Sequence, residues 1–245
     1  MKEYPLLLHL KELRTRLIVI VLTITINWII VYQFKDEIYA FLSKPLFLAS
    51  KDTRIIFTSL VEAFVTHLKI TFICSLIVSF PIVAWQIYRF LSPALYSQEK
   101  RAILPFFIVS PLLFLVGISF CYFFIIPIAW EFFASFQVSA TKSSIPLVLE
   151  AKFSEYAALV ISFLLSFGLI FQLPVVLIIL NKLGLVSINW LKKQRRYAII
   201  VIFIVSAILT PGPDVLSQVL MAVPLVFLYE LSIFYIRFSG KKIHS

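Results

Sequence analysis

The stretch Phe90–Arg101 reads Phe-Leu-Ser-Pro-Ala-Leu-Tyr-Ser-Gln-Glu-Lys-Arg and separates two long apolar runs. No charged residue occurs in the 18 residues from Ile70 to Ile87 or in the 29 residues from Ala102 to Trp130. Either run is long enough to cross a bilayer core of about 30 Å, so the polar stretch is predicted to lie at one membrane face. Its carboxylate, Glu99, stands among basic residues, as either a solvated loop residue or part of a receptor for a cationic ligand.

The composition of the 245-residue chain excludes an ordinary soluble domain. Hydrophobic residues make up 61% of the sequence and charged residues 14%, whereas soluble domains have about 45–50% apolar and about 25% charged residues. The apolar runs are continuous and do not alternate with polar residues, which argues against a β-barrel. The sequence therefore predicts an all-α polytopic membrane protein with a single integral membrane domain over residues 1–245.

Six transmembrane helices are predicted between the polar segments. Their approximate limits are residues 17–34, 70–87, 106–128, 156–180, 197–209 and 215–236. The fifth has only 13 apolar residues, and the return run has 15 before Glu230, so the last two helices are expected to be short. In the third, the prolines at 105, 111 and 127 leave only Leu112 to Ile126 to form a regular helix.

The polar segments carry structural expectations of their own. Residues 1–16 place leucines on one face of a helix expected to rest on the membrane surface, with Glu12 and Arg16 spaced for an i, i+4 ion pair. Residues 35–69 contain three apolar clusters, residues 38–42, 55–57 and 60–64, that suggest short helices folded into an outer cap.

The distribution of charge predicts which side of the membrane each loop faces. With six spans, one side receives 15 Lys and Arg against 3 acids, and the other receives 7 against 8. Because short basic loops stay on the cytoplasmic side, both termini are predicted to face the cytoplasm or the interior of an organelle. The net charge of +10 is then explained by this rule, and no nucleic-acid partner is expected.

The sequence offers no constellation for catalysis. His9, His67 and His244 are scattered without metal-ligand spacing, and Cys74 and Cys121 lie inside apolar runs. No phosphate-binding loop, dinucleotide turn or nucleophile elbow is present. We therefore expect no enzyme activity, no metal and no cofactor. A small-solute secondary transporter or channel subunit is the alternative, although such transporters commonly show internal repeats and none is evident.

Polar residues at membrane depth are the candidates for function. Gln172 stands in an otherwise apolar run, where its amide either bonds a carbonyl freed by Pro174 or docks a polar residue of another helix. Thr210, Asp214 and Gln218 form a second group at the predicted hairpin tip, where Asp214 is placed to cap the last helix.

Several sparse motifs occur in one order along the chain. They are His9-Leu-Lys-Glu-Leu-Arg-Thr-Arg16, Ser43-Lys-Pro-Leu46, Phe90-x-x-Pro-Ala-Leu-Tyr-x-x-Glu99, Phe167-Gly168, Leu173-Pro174, Arg196-Tyr197, Leu209-Thr210-Pro211, Asp214, Ser217-Gln218 and Leu228-Tyr-Glu230. In this order and on a six-span plan, they resemble the TatC family, the multispanning receptor subunits of the twin-arginine protein translocase.

The resemblance implies a function and a set of site residues. Glu12 and Glu99 would face the two guanidinium groups of a twin-arginine signal peptide, which suits the bidentate pairing of carboxylates with arginine. The residues that would shape this site are Arg14, Phe90 and Pro93, and Pro45 would organise the outer cap. Gln172, Thr210, Asp214 and Gln218 would dock partner helices.

The resemblance also implies partners and a setting. The chain would export folded proteins with the proton-motive force, together with single-span TatA/TatB-type subunits, with further copies of itself and within a lipid bilayer. Two departures are present: Gln172 stands where the family often has Glu, and the hairpin tip Thr210–Asp214 is one residue longer than usual. The 25 Phe and 5 Gly suggest an AT-rich genome, which favours the mitochondrial inner membrane over a bacterial inner membrane or a thylakoid.

Overall fold

The computed structural model of the protein describes residues 6–49, 54–136, 150–210 and 215–240, and most of these lie in helices. These ranges contain ten α-helices and two short strands. The elements are α1 (Leu6–Tyr32), α2 (Lys35–Ala49), β1 (Arg54–Ile56), α3 (Leu60–Leu91), α4 (Ser97–Phe120), α5 (Ile126–Ala134), β2 (Glu150–Lys152), α6 (Phe153–Ile170), α7 (Leu173–Lys182), α8 (Ile188–Lys193), α9 (Arg195–Leu209) and α10 (Val215–Gly240).

Five helical stretches in the described ranges are long and apolar enough to cross a membrane. They are His9–Tyr32, Val61–Leu91, Ser97–Ala134, Phe153–Lys182 and Val215–Phe238. The predicted helical membrane class is thereby confirmed. The fifth predicted span corresponds to α9, which is 15 residues long and about 22 Å in length, less than a bilayer core of about 30 Å.

The helices that contain the first two predicted spans are longer than those spans. Helix α1 begins at Leu6, before residue 17, and α3 covers Leu60–Leu91, beyond residues 70–87 on both sides. Residues 6–16 are helical as predicted, but they do not form a separate surface helix, because α1 continues without interruption from Leu6 into the apolar run. It packs along α3, where Asn27 Nδ2 donates to Ser79 Oγ at 2.8 Å and Trp28 Nε1 donates to Thr71 Oγ1 at 3.1 Å. These bonds satisfy polar groups on both helices and hold the two in register.

The outer cap is partly as predicted. A helix does cover residues 38–42, within α2, but residues 55–57 do not form one. Strand β1 includes Ile55 and Ile56 and pairs in parallel with β2, with Arg54 opposite Glu150. Residues 60–64 are the first turn of α3 and not a separate helix, since nothing interrupts the helix before Leu91.

The prolines of the third span act differently from the prediction. Helix α4 runs through Pro105 and Pro111, so the expected regular segment is too short. The irregularity is a π-helical turn, Cys121–Ile125, directly before Pro127. Proline has no N–H and its ring clashes with the carbonyl four residues earlier, and a wider turn relieves that clash. The fourth span breaks for the same reason: α6 ends at Ile170, four residues before Pro174.

The prediction that the last two helices are short is correct for α9 and wrong for α10, which has 26 residues. Glu230 does not end α10, because its carboxylate is neutralised by Arg195 of α9 at 2.7 Å. Apolar residues then continue to Phe238. Gln218 Nε2 also donates to the carbonyl of Phe203 at 3.1 Å, and the two pairings, 195 with 230 and 203 with 218, show that α9 and α10 run antiparallel.

Helix α6 lies at the centre of the core. Its side chains Val160, Phe163 and Phe167 are at most 1% exposed, and the helix packs against α3 and α4. The approach to α4 is close at two glycines, Gly117 and Gly168, where an added Cβ would lie 2.5 Å from the Phe167 carbonyl and 2.6 Å from the Phe114 ring. Helices α1 and α9 instead present mostly exposed apolar side chains, as expected for surfaces that face lipid.

Candidate functional site

The beginning of α1 meets the end of α3, and this seam brings together residues far apart in sequence. The ring of His9 stacks on that of Phe90, with centroids 4.4 Å apart and planes 26° apart. Two turns further along, Arg16 Nη1 donates to Gln86 Oε1 at 3.3 Å. The polar first turns of α1 are thereby held against the last turns of α3.

Glu12 lies on this seam and already binds a guanidinium. Arg16 Nη2 donates to Glu12 Oε1 at 3.0 Å, which is the ion pair that the i, i+4 spacing predicts. The side chains are 26% exposed for Glu12 and 19% for Arg16, so the pair is partly shielded from water. Arg16 contacts the carboxylate end-on through one nitrogen, and its Nε is buried without a partner among the described residues. Among the described residues the other oxygen of Glu12 accepts no hydrogen bond, so it can accept one from a second donor.

Glu99 is the third residue of α4 and caps that helix. Its Oε2 accepts the backbone N–H of Tyr96 at 2.9 Å, a contact between the carboxylate and a free amide at a helix start. A negative charge at this end of a helix is favourable, so the position stabilises ionised Glu99. Neither alternative from the sequence, solvated residue or receptor, included this capping role.

The other predicted residues of the site surround the same connection. Phe90 and Pro93 are half-buried, and Pro93 lies in the 3₁₀ turn Ser92–Ala94 between α3 and α4. Arg14 is exposed on α1. Within the described ranges no hydrogen bond or ion pair joins Glu12 to Glu99; the two carboxylates are linked through the contact between α1 and Phe90 and the short turn that follows it.

Gln172 lies at the break between α6 and α7 and bonds to α4. Ser110 Oγ donates to Gln172 Oε1 at 2.5 Å, and Gln172 Nε2 donates to the Ser110 carbonyl at 3.1 Å. Of the two alternatives for Gln172, the structure shows the second: its amide bonds a polar residue of another helix, Ser110 of α4, and not a carbonyl freed by Pro174. Gln172 and Ser110 also line a cavity of about 360 Å³ whose other walls are apolar.

The predicted hairpin group is divided between described and undescribed residues. Thr210 is buried and its hydroxyl donates to the Ser206 carbonyl at 3.0 Å, one turn earlier in α9. Gln218 bonds back to α9 through the Phe203 carbonyl. Asp214 lies outside the described residues. Thr210 and Gln218 therefore satisfy backbone carbonyls of their own hairpin.

Pro45 is buried inside α2, at the position predicted to organise the outer cap. A proline cannot donate to the carbonyl four residues earlier, which here belongs to Phe41. Tyr122 of the π-helical turn donates its hydroxyl to that carbonyl at 2.7 Å. Tyr156 of α6 donates to the neighbouring Leu42 carbonyl. The proline thus creates a free carbonyl through which α2 is tied to the core.

Sequence reasoning missed several polar residues. Glu62 joins the start of α3 to the start of α6: one oxygen accepts from Thr58 N at 2.8 Å and the other from Ser154 Oγ at 2.7 Å. Thr58 is only four residues before Glu62, but Ser154 is 92 residues after it and could not be inferred from spacing. Gln86 carried the same signal as Gln172, an amide within an apolar run, and could have been found by the same argument.

Comparison with known proteins supplies the family. The model described as Sec-independent protein translocase protein (TatC) matches residues 8–224. A Rickettsia prowazekii protein named Sec-independent protein translocase protein TatC is 45% identical over 235 residues, covering 95% of this chain and 92% of the relative. A Reclinomonas americana protein named uncharacterized tatC-like protein ymf16 is 36% identical, covering 97% and 89%.

A solved structure agrees with these relatives. The crystal structure of a twin-arginine translocase receptor, TatC, superposes with a TM-score of 0.82 at 34% sequence identity, covering 95% of this chain and 99% of the other. Agreement over the whole length excludes a match confined to one motif. The matches also favour a protein-transport component over the small-solute transporter or channel subunit that the sequence left as an alternative.

Proposed function

Because the chain belongs to the TatC family of Sec-independent protein translocase proteins, we propose that it is the receptor subunit of a twin-arginine translocase. It binds the twin-arginine signal peptides of folded cargo proteins. It contributes to their export across an energy-transducing membrane at the expense of the proton-motive force. It does so without an enzymatic step of its own.

The observation that carries this proposal is the guanidinium held by Glu12. The carboxylate is partly shielded, faces a seam between two helices and already accepts a charge-assisted bond from Arg16. A site that holds one guanidinium from its own chain has the geometry to hold another from a ligand. The free oxygen of Glu12 offers one acceptor, and displacement of Arg16 would offer both.

Glu99 provides the second acceptor in this proposal. One of its oxygens caps α4, and the other has no hydrogen-bond partner among the described residues. An arginine of the peptide would bind there beside Phe90 and Pro93, and Arg14 would border the entrance. Arginine is preferred to lysine because its planar fork can contact a carboxylate through two parallel bonds, whereas an ammonium group is a point charge.

Partner subunits would dock at the other polar groups of the apolar surface. Gln172, Thr210, Asp214 and Gln218 would contact single-span TatA/TatB-type helices, and further copies of the chain would complete the assembly. The described bonds of Gln172 to Ser110 limit this role, because a partner has to share or replace them. Interhelical hydrogen bonds in membranes contribute about 0.6 kcal/mol on average, so such an exchange is energetically small.

The proposed setting follows from charge. The chain forms a single membrane domain with six spans and both termini on the more basic side, which is the cytoplasm or the organelle interior. We place it in the mitochondrial inner membrane in preference to a bacterial membrane or thylakoid, because its residue usage is typical of an AT-rich genome.

Peptide binding tests the proposal. The purified full chain in nanodiscs is titrated with a labelled twin-arginine peptide and with the same peptide carrying two lysines. We expect Glu12→Gln and Glu99→Gln each to weaken the arginine peptide by about 5- to 150-fold, equivalent to about 1–3 kcal/mol, and the lysine peptide much less. Glu155→Gln, an exposed acid in the first turn of α6, is the matched control and should change neither affinity.

Equal losses for both peptides would show that the carboxylates do not distinguish arginine. Because Glu99 also caps α4, the unfolding temperature of each variant is measured in parallel. A loss of arginine-peptide affinity at an unchanged unfolding temperature belongs to the site and not to the cap.

A further inference from the structure

A cavity of about 340 Å³ lies where α8 and the first turn of α9 meet the second half of α10. Three bases line it: Lys192, Arg195 and Arg237. The lining also includes one acid, Glu230, and the apolar residues Phe227, Leu231, Ile233 and Phe234. It is separate from the seam that holds Glu12, since no residue of α1, α3 or α4 lines it.

The cavity keeps a positive charge after its internal ion pair is counted. Glu230 is bound to Arg195 at 2.7 Å, so these two neutralise each other. Within the described residues, no acid lies within ion-pair distance of Lys192 or Arg237. The lining therefore carries two uncompensated cations and attracts an anion.

The α10 wall of the cavity continues into an exposed apolar stripe. Phe227, Leu231 and Phe234 follow one another at i, i+4 and i+7 and share one face of the helix. Their exposed fractions are 63%, 43% and 60%. Arg237 is one turn beyond Phe234, so the same face carries a cation at its end and aromatic rings along its length.

We propose that this cavity binds an anionic phospholipid. The phosphate lies between Lys192 and Arg237, and an acyl chain runs along Phe227, Leu231 and Phe234. Basic cavities between membrane helices at the interface suit such headgroups. A free phosphate would use the cations and leave the apolar stripe uncovered, and this is why the lipid is the occupant that the combined surface fits.

Lipid retention by the purified full chain tests the proposal. Native mass spectrometry counts the lipids kept from mixed micelles of phosphatidylglycerol and phosphatidylcholine. We expect wild type to keep phosphatidylglycerol preferentially. The double variant Lys192→Gln, Arg237→Gln should bind phosphatidylglycerol about 10- to 30-fold more weakly, because each of the two bases contributes about 3- to 5-fold to the affinity for an anionic headgroup.

The chain offers a matched control next to the cavity. Lys193 and Arg196 adjoin two lining residues, and neither is among the residues that line the cavity. The double variant Lys193→Gln, Arg196→Gln removes the same charge and should keep phosphatidylglycerol within about 2-fold of wild type, because only general surface attraction changes. Equal losses in the two double variants would overturn the proposal, as would wild type with no preference for the anionic lipid.

Two further arms separate the remaining explanations. Glycerol phosphate at the same concentration should not displace the lipid; displacement would show that the cations bind phosphate without the apolar stripe. The charge-preserving variant Lys192→Arg, Arg237→Lys should retain the lipid, which keeps the test valid if the glutamine variant fails to fold. All variants leave Arg195 and its bond to Glu230 in place.

Discussion

The carbonyl of Phe41 has no helical donor, because residue 45 is a proline. Tyr122 supplies the missing bond from the π-helical turn, and its ring stacks on Phe41 with centroids 4.4 Å apart and planes 9° apart. Pro45 of α2 leaves the Phe41 carbonyl free, and Tyr122 of the π-helical turn bonds it. The apolar contact and the hydrogen bond can be separated by mutation, since phenylalanine keeps the first and loses the second.

Tyr122→Phe is therefore expected to destabilise the protein by about 1 kcal/mol, the cost of leaving a partly buried acceptor without a partner. In a Pro45→Ala background the same change should cost clearly less, since the N–H of the new alanine can reach the Phe41 carbonyl. Thermal unfolding in detergent measures both differences. If Tyr122→Phe cost the same with Pro45 as with alanine at that position, the Tyr122 hydroxyl would not be replacing the N–H that Pro45 lacks.

At the residue scale, what the sequence predicts is what lies close along the chain. The pair of Glu12 and Arg16 followed from helical spacing, and the polar character of Gln172 marked it as important. The partner of Gln172 is Ser110, 62 residues earlier, and the partner of Glu62 is Ser154, 92 residues later. No spacing rule reaches across such distances, because helix packing and not periodicity brings those groups together.

At the scale of elements, the sequence located the apolar runs better than their ends. The apolar run ends before Glu230, which made the last helix look short, but a carboxylate neutralised by Arg195 is tolerated and α10 continues to Gly240. Prolines were also misjudged: α4 accommodates Pro105 and Pro111, and the distortion is concentrated before Pro127. A charge or a proline ends a helix only when its surroundings do not compensate for it, and those surroundings are tertiary.

Helices α4 and α6 approach each other closely at two glycines, Gly117 and Gly168. Gly117→Ala would place a methyl group 2.5 Å from the Phe167 carbonyl, a backbone atom that cannot rotate away. We expect a loss of about 1–3 kcal/mol, the usual cost of overpacking. Gly168→Ala meets the Phe114 ring at 2.6 Å and should cost less, because a side chain can shift.

Val116→Ile is the control for this comparison. It adds one methyl group to the same helix at a position that is 55% exposed, and should leave the unfolding temperature unchanged. If Gly117→Ala behaved like this control, the approach of the two helices would be more adjustable than the packing indicates.

At the scale of the whole molecule, the arrangement of α9 and α10 bears on how many times the chain crosses the membrane. The two helices are antiparallel and joined by Arg195 to Glu230 and by Gln218 to the Phe203 carbonyl. Helix α10 extends ten residues beyond Glu230 toward Gly240. Tyr229 Oη of α10 also donates to the Leu191 carbonyl of α8 at 2.8 Å, so α8 is fixed beside α10. The 15-residue helix α9 is therefore bonded along its length to the 26-residue helix α10, which extends beyond it.

Sidedness can be measured at two exposed positions separated by an odd number of predicted spans. Leu185, in the turn after α7, is 69% exposed, and Phe57, before α3, is 60% exposed. Each is replaced by cysteine after Cys74 and Cys121 have been changed to alanine, and sealed vesicles are treated with a maleimide that does not cross the membrane.

We expect Leu185→Cys to react only from the cytoplasmic or matrix side and Phe57→Cys only from the opposite side. The physical reason is that 15 of the 22 basic side chains then lie on the side where positive loops are retained. Labelling of both cysteines from the same side would contradict the six-span arrangement, and with it the placement of Glu12 and Glu99 on the face that a cytoplasmic signal peptide reaches first.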